Sequence, residues 1–292
     1  MKKLGLIGLA LLVAVLAAAC GSTKKTTSTA APASNTCAKD KLNLISAPKL
    51  TIGTDNPAYP PWYGGSEGHG WKVSDPYSGK GYESAVAYAV AKQLGFSKPE
   101  VTWKYVSFDS AKAPGKKPFD FDINQISYSP ERAKVVAFSN SYYDVAQGIV
   151  VNKGTPIAKV TTVAGLKPYE LGAQLGTTSY QLIKSTIKPS KNPSVFPSNA
   201  GAVQALKNKQ IDGLVVDLPT AFYVTAAQVP GSTVLGQFPG QPGGEHFGLV
   251  FEKGNQLVTC VNKALATLRS NGTLKQLDHQ WLAKATGAPI LK

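Results

Sequence analysis

Cysteine and histidine are nearly absent, with 3 of each in 292 residues. No two cysteines form a C-x-x-C pair, and His69, His246 and His279 lie far apart. No Gly-Lys-Ser/Thr phosphate loop occurs. A zinc centre, a thioredoxin-type redox pair and a P-loop are thereby excluded, and no cofactor or metal is implied. Acidic residues are scarce as well, 17 against 31 Lys and Arg, for a net charge of +14. Such an excess raises nucleic acid as a partner. The lysines are scattered, however, and no stretch interleaves them with stacking aromatics, so no nucleic acid is expected. Nor does any apolar run reach the roughly 20 residues of a spanning helix.

The longest such run, Leu4 to Ala19, follows Lys2 and Lys3 and stops at Cys20. A positive start, an apolar stretch and small residues before a cut are the layout of a secretory signal over residues 1–19. The segment Leu16-Ala17-Ala18-Ala19-Cys20 resembles the lipobox of bacterial lipoproteins. That resemblance implies a Cys20 acylated on its sulfur and a protein held on the outer face of the cell membrane. Residues 20–36 are Ser, Thr, Ala, Lys and Pro, too polar to bury a core, and are expected to form a flexible tether. In an exported chain the positive charge fits an anionic envelope or an anionic solute, and charge alone does not separate the two. Cys37 and Cys260 would meet in an oxidising compartment, where they are expected to pair.

The remainder, in a chain with 43% hydrophobic and 16% charged residues, is ordinary globular composition. Leu50 to Thr54 alternates as a strand and runs into the aromatic loop Tyr59-Pro60-Pro61-Trp62-Tyr63. A helix fits Tyr82 to Leu94, with Ala85, Val86, Ala89 and Val90 on one stripe and Gly95 ending it. Val101, Trp103 and Tyr105 alternate as a second strand, which completes a βαβ rhythm. The rhythm restarts after a shift near Ala146. Leu171, Ala173 and Leu175 read as a strand, helices follow Thr178 and span Ala200 to Asn208, and Ile211 to Val216 reads as a buried strand. Phe247 to Phe251 is a further strand, and an amphipathic helix follows through Leu257, Val261, Leu265 and Leu268. Thr273 is placed to cap a last helix. Two α/β lobes are the simplest account, 37–145 with 243–292 and 146–242, joined by two crossing strands near residues 146 and 243.

Three places could hold a zwitterion. Ser129-Pro130-Glu131 is a strong helix start, and Arg132 within that first turn opposes the helix dipole, a conflict an anionic partner removes. Gly176-Thr177-Thr178 is a second turn of this kind, with Gly allowing close backbone approach. Asp217 ends the buried strand, where open α/β sheets place ligand contacts, and could hold an ammonium group. An Arg beside a free helix N-terminus suits a carboxylate.

Pro130-Glu131-Arg132 through Phe138-Ser139, with Tyr142-Tyr143 after it, resembles the family 3 extracellular solute-binding proteins, the polar amino acid receptors of ABC importers. The resemblance implies a type II periplasmic-binding-protein-like α/β fold, two-lobed, with a central cleft and hinged closure. It implies that Arg132 clamps a ligand carboxylate with help from Ser127, that Thr178 beside Thr177 reaches the same group from the other lobe, and that Asp217 takes the ammonium. Asp55, Tyr59, Trp62 and Gln125 complete the expected site, with Tyr59 or Trp62 covering the ligand. The expected partners are a small amino acid and a membrane permease, and a monomer is expected. The chain departs from the family at Gln125, at Glu83 and in the long loop from Gly64 to Lys80.

Enzymes are the rival class. Gly64-Gly65-Ser66-Glu67-Gly68 matches G-x-S-x-G by letter, but the nucleophile elbow needs a strand before the Ser and a helix after it, which this loop lacks. Cyclohexadienyl dehydratases use the same fold, and Glu67, Glu83 and Glu245 are the acids that could serve there, with nothing in their neighbours to suggest a raised pKa.

Overall fold

In the computed structural model, which describes residues 36–240, 244–284 and 287–292, Leu50–Thr54 is strand β1, buried at every position. The expected signal segment, Cys20 and the tether up to residue 35 lie outside the described residues. Helix α1 (Tyr82–Gln93) crosses from β1 to β2 (Val101–Tyr105), which pairs parallel with it. The buried stripe of α1 is Val86, Ala87, Val90 and Ala91 and not the expected set with Ala85 and Ala89. The core lies slightly round the helix because Tyr82 and Glu83 also turn inward. A short helix α2 (Phe108–Lys112), strand β3 (Phe121–Asp122) and a single turn α3 (Pro130–Ala133) lead to β4 (Val136–Val145).

One residue, Ala146, separates β4 from β5 (Gln147–Asn152), where the second sheet begins. Then follow β6 (Leu171–Gln174), α4 (Thr178–Leu182), β7 (Ser194–Phe196), α5 (Asn199–Lys207), β8 (Gly213–Asp217), α6 (Leu218–Tyr223) and β9 (Ser232–Gln237). The chain returns as β10 (Glu245–Glu252) and ends in α7 (Leu257–Ser270) and α8 (Thr273–Leu282). The first sheet has the order β2-β1-β3-β10-β4 and the second β7-β6-β8-β5-β9. In each, parallel strands are joined to antiparallel ones that carry the crossing. Leu175, expected at the end of β6, lies beyond it and is exposed.

The largest core packs α1, α7 and α8 against the first sheet, and Leu257, Cys260, Val261, Ala264, Leu265 and Leu268 form the buried face of α7. The second sheet has a cluster on each face, one around Ile149, Leu171 and Val215, the other around Val150, Leu206 and Val216. That alternation along β5 and β8 is the period-2 signature of a sheet covered on both sides. Thr273 is the first residue of α8 and not its cap, because Gly272 takes the left-handed conformation at φ 79° and Asn271 Oδ1 accepts from Thr273 N–H instead.

The expectation that everything after residue 243 stays with the first sheet does not hold for the last residues. Gln237 pairs with Ile290, Lys292 exchanges backbone hydrogen bonds with Thr161 and Val163, and Leu291 is buried in the second sheet's core. The apolar Leu291 finds a place there beside Phe238 and Leu235. Among the described residues no helix is long and apolar enough to cross a membrane.

Cys37 and Cys260 are bonded, with their Cα atoms 5.4 Å apart across a sequence separation of 223. The bridge fixes the N-terminal edge of the domain to α7. Closing so long a loop restricts the unfolded chain and stabilises the fold by up to about 5 kcal/mol. Replacing both cysteines by serine is therefore expected to lower the melting temperature, and a differential scanning calorimetry trace equal to that of the parent would contradict this account.

Candidate functional site

The C-terminal ends of the parallel strands converge on one cleft. Asp55 follows β1, Tyr105 ends β2, Gly176-Thr177-Thr178 follows β6 and Asp217 ends β8. Strand ends of open α/β sheets are where side chains and helix N-termini are left facing a crevice. Here they line a cavity of about 310 Å³. That volume suits a small ligand.

Arg132 reaches into this cavity because Ser129 caps its single helical turn, accepting from the Arg132 N–H at 3.2 Å, while Pro130 starts the turn. Its Nη1 donates to the Ser127 carbonyl at 2.5 Å, and its Nη2 crosses the cleft to the Gly176 carbonyl at 2.9 Å. Gly176 sits at φ 74°, a conformation that a side chain would strain. The guanidinium carbon lies 5.7 Å from the centre of the Phe108 ring. Burial lowers the proton affinity of Arg132, and the nearby acids Glu245 and Asp217 raise it again.

The other expected residues group around it. Ser127 Oγ lies 3.4 Å from Thr178 Oγ1 across the cleft. Thr177 caps α4, its Oγ1 accepting from Tyr180 N–H at 3.1 Å and donating to the Gln174 carbonyl at 2.7 Å. Asp55, Tyr59 and Gln125 line the cavity too. Burial pushes the Asp55 carboxyl up, although backbone N–H groups of Asn56 and Phe108 hold it down in part. Asp217 is pushed well above the usual carboxylate range, first by burial and then by Glu245. Trp62 is the exception, since it does not line the cavity. It is 2% exposed, packs edge-on against Tyr82, Tyr143 and Phe247, and sends its Nε1–H to Thr220 Oγ1 at 3.0 Å. A ring that large is worth more in the core than over a cleft.

Sequence reasoning missed Tyr105 and Phe108, which supply aromatic wall on the first-sheet side. The end of β2 was the signal for Tyr105, by the same rule that picks out Asp217. It also missed Gln147, whose Nε2 donates to Asp217 Oδ1 at 2.7 Å. Glu83 corrects a further expectation. It is fully buried, accepts from Tyr142 O–H and from Gln125 N–H at 2.7 Å, and bonds the Gln125 side chain. Burial raises its pKa from 4.5 to about 7. Glu83 thus holds Gln125, at φ 47°, against the cavity from behind.

The profile of the bacterial extracellular solute-binding proteins, family 3, matches residues 50–284. The chain belongs to that family. Among its relatives, the arginine-binding periplasmic protein of Mannheimia haemolytica is 28% identical over 206 residues, 69% of this chain and 81% of its own. The L-cystine-binding protein TcyJ of Escherichia coli (strain K12) is 28% identical over 214 residues, 73% of this chain and 76% of its own. An ancestral arginine-binding protein bound to glutamine superposes with a TM-score of 0.66 at 29% identity, over 80% of this chain and 97% of that one. The family's members are amino acid receptors of ABC importers with two α/β lobes, and the cleft described above lies where two such lobes meet.

A family 3 protein with a buried acid under its cleft has a pH signature. Unfolded Glu83 titrates near 4.5 and folded Glu83 near 7, so the folded state binds more protons between those values. Its stabilising effect is complete below pH 4.5 and is lost as pH rises through 7. In urea titrations the parent is expected to lose about 2 kcal/mol more than Glu83→Gln between pH 5 and pH 8. Parallel curves for the two proteins would contradict the assignment.

Proposed function

We propose that the cleft binds one α-amino acid with a positively charged side chain, and that closing over it presents the protein to a membrane permease. The observation that carries this reading is Arg132 facing Thr178 and Asp217 across a single cavity. The ligand carboxylate would bind between Arg132, Ser127 and Thr178, and its ammonium group at Asp217. Asp55 then faces the ligand side chain, with Tyr59, Tyr105 and Phe108 as aromatic wall. Asp109, also on the wall, is already paired with Lys112. The positive charge of the whole chain is a poor guide here, because the charged side chains lining the cavity are Asp55, Asp109 and Asp217 beside Arg132. The arginine receptors among its relatives support the same choice.

Trp62 to Thr220, Arg132 to Gly176 and Ser127 to Thr178 all bridge the cleft, which supports a reading of this arrangement as the closed form of a clamp. Ligand would shift an existing open–closed equilibrium toward it. We place the lobes at 37–145 with 244–284 and at 146–240, the last residues 287–292 joining the second. The chain acts as a monomeric receptor with no catalytic step, exported by residues 1–19 and held by acylated Cys20 through the tether 20–36.

In thermal-shift and calorimetric titrations L-arginine or L-lysine is expected to raise the melting temperature of the purified protein, and L-glutamate is not. Arg132→Ala should cost roughly 2 to 5 kcal/mol of binding, since it leaves a carboxylate unpaired in a closed site. Unchanged affinity in that variant would overturn the carboxylate assignment. Replacing Asp55 by Asn is expected to reduce the preference for arginine over glutamine by roughly tenfold, the worth of one charge-assisted contact.

A further inference from the structure

Behind the cavity wall a second acid is built into the site. Glu245 opens β10, where the chain returns to the first sheet, and pairs with Val145 at the end of β4. Its Oε1 accepts from Ser127 Oγ at 2.5 Å. Gln147, one residue past the other crossing and 4% exposed, points its Nε2 at both Glu245 oxygens, 3.2 and 3.1 Å away, and at Asp217 Oδ1. The Gln147 Oε1 accepts from Ser179 Oγ at 2.6 Å. Neither Gln147 nor Glu245 lines the cavity. One amide therefore gathers two carboxylates, one from each lobe, and the two hydrogens on its nitrogen are divided among three acid oxygens.

We propose that Glu245 is a positioning residue for the ammonium end of the ligand, acting through Gln147 on Asp217 and through Ser127 on the carboxylate end, so that both ends are held in one register when the lobes close. The inference rests on the amino acid reading of the cleft. The groups that face Asp217 are Glu245 on β10, Glu83 on α1, Arg132 on α3 and Tyr143 on β4. Two of these four are carboxylic acids, Tyr143 is a phenol whose proton is held more tightly than usual, and the cation, Arg132, donates from both of its terminal nitrogens to carbonyl oxygens. Two carboxylates on one amide are most stable with a positive charge or a proton between them. With the cleft empty, the Asp217 carboxyl retains its proton. An arriving ammonium group takes the place of that proton, which passes to the solvent buffer. Ligand capture is then linked to proton release, and Glu245 sets how much is released.

Two measurements on the full chain separate this inference from the reading beneath it. The first is the titration of Asp217 by carbon-13 carboxyl NMR without ligand, in the parent and in Glu245→Gln. The Asp217 midpoint is expected to fall by roughly one pH unit in the variant. An unchanged midpoint overturns the inference whatever the ligand is. The second is calorimetry with L-arginine in buffers of different ionisation enthalpy. The parent is expected to release protons on binding, and the variant to release fewer and to bind roughly tenfold more weakly. Equal affinity and equal proton release in the two proteins overturn it as well. Failure of the parent to bind any amino acid would sink the reading of the cleft and leave the NMR arm to decide the role of Glu245. Should Glu245→Gln not fold, Glu245→Ala gives the same comparison.

Discussion

A guanidinium must stay charged in a cleft partly walled by aromatic rings, and most of the architecture around Arg132 answers that requirement. Its two terminal nitrogens are satisfied by carbonyl oxygens, one from each lobe. Phe108 offers a ring face, and the acid Glu245 offsets part of the desolvation. Phe108, Gly176 and Asp217 sit where they do because β2, β6 and β8 end nearby. The fold's contribution to function is thus mainly topological, since parallel strands from two sheets finish at one place.

Acids accumulate there in turn. Asp217 and Glu245 share Gln147, and Glu83 and Asp122 lie buried below, both with proton affinities raised chiefly by burial. Such a grouping disfavours full ionisation in the empty state.

The parts of the fold legible in the sequence were those governed by local pattern. The strand Leu50–Thr54, the helix from Tyr82 and the cap at Ser129 follow from alternation, periodicity and side-chain chemistry over a few residues. Arg132 stood out because it opposed a rule, and Asp217 because of its place at a strand end. Trp62 misled, since an aromatic loop beside a strand looks the same whether its ring covers a ligand or fills a core. Glu83 and Gln147 were illegible for another reason. Their roles depend on partners 42 and 70 residues away, and no local pattern encodes such distances. The same holds for the last residues, whose attachment to the second sheet rests on a single buried leucine and a few backbone bonds.

That attachment alters the mechanics of the clamp. The chain passes between lobes at Ala146 and again between β9 and β10, and Ile290 beside Gln237 adds a third link, after α8 on the first lobe. Three links restrict a pair of bodies more than two do. The two ends of the folded domain are also divided by it, Cys37 anchored to one half and Leu291 to the other. The distance between the termini is therefore a built-in gauge of how far the jaws stand apart.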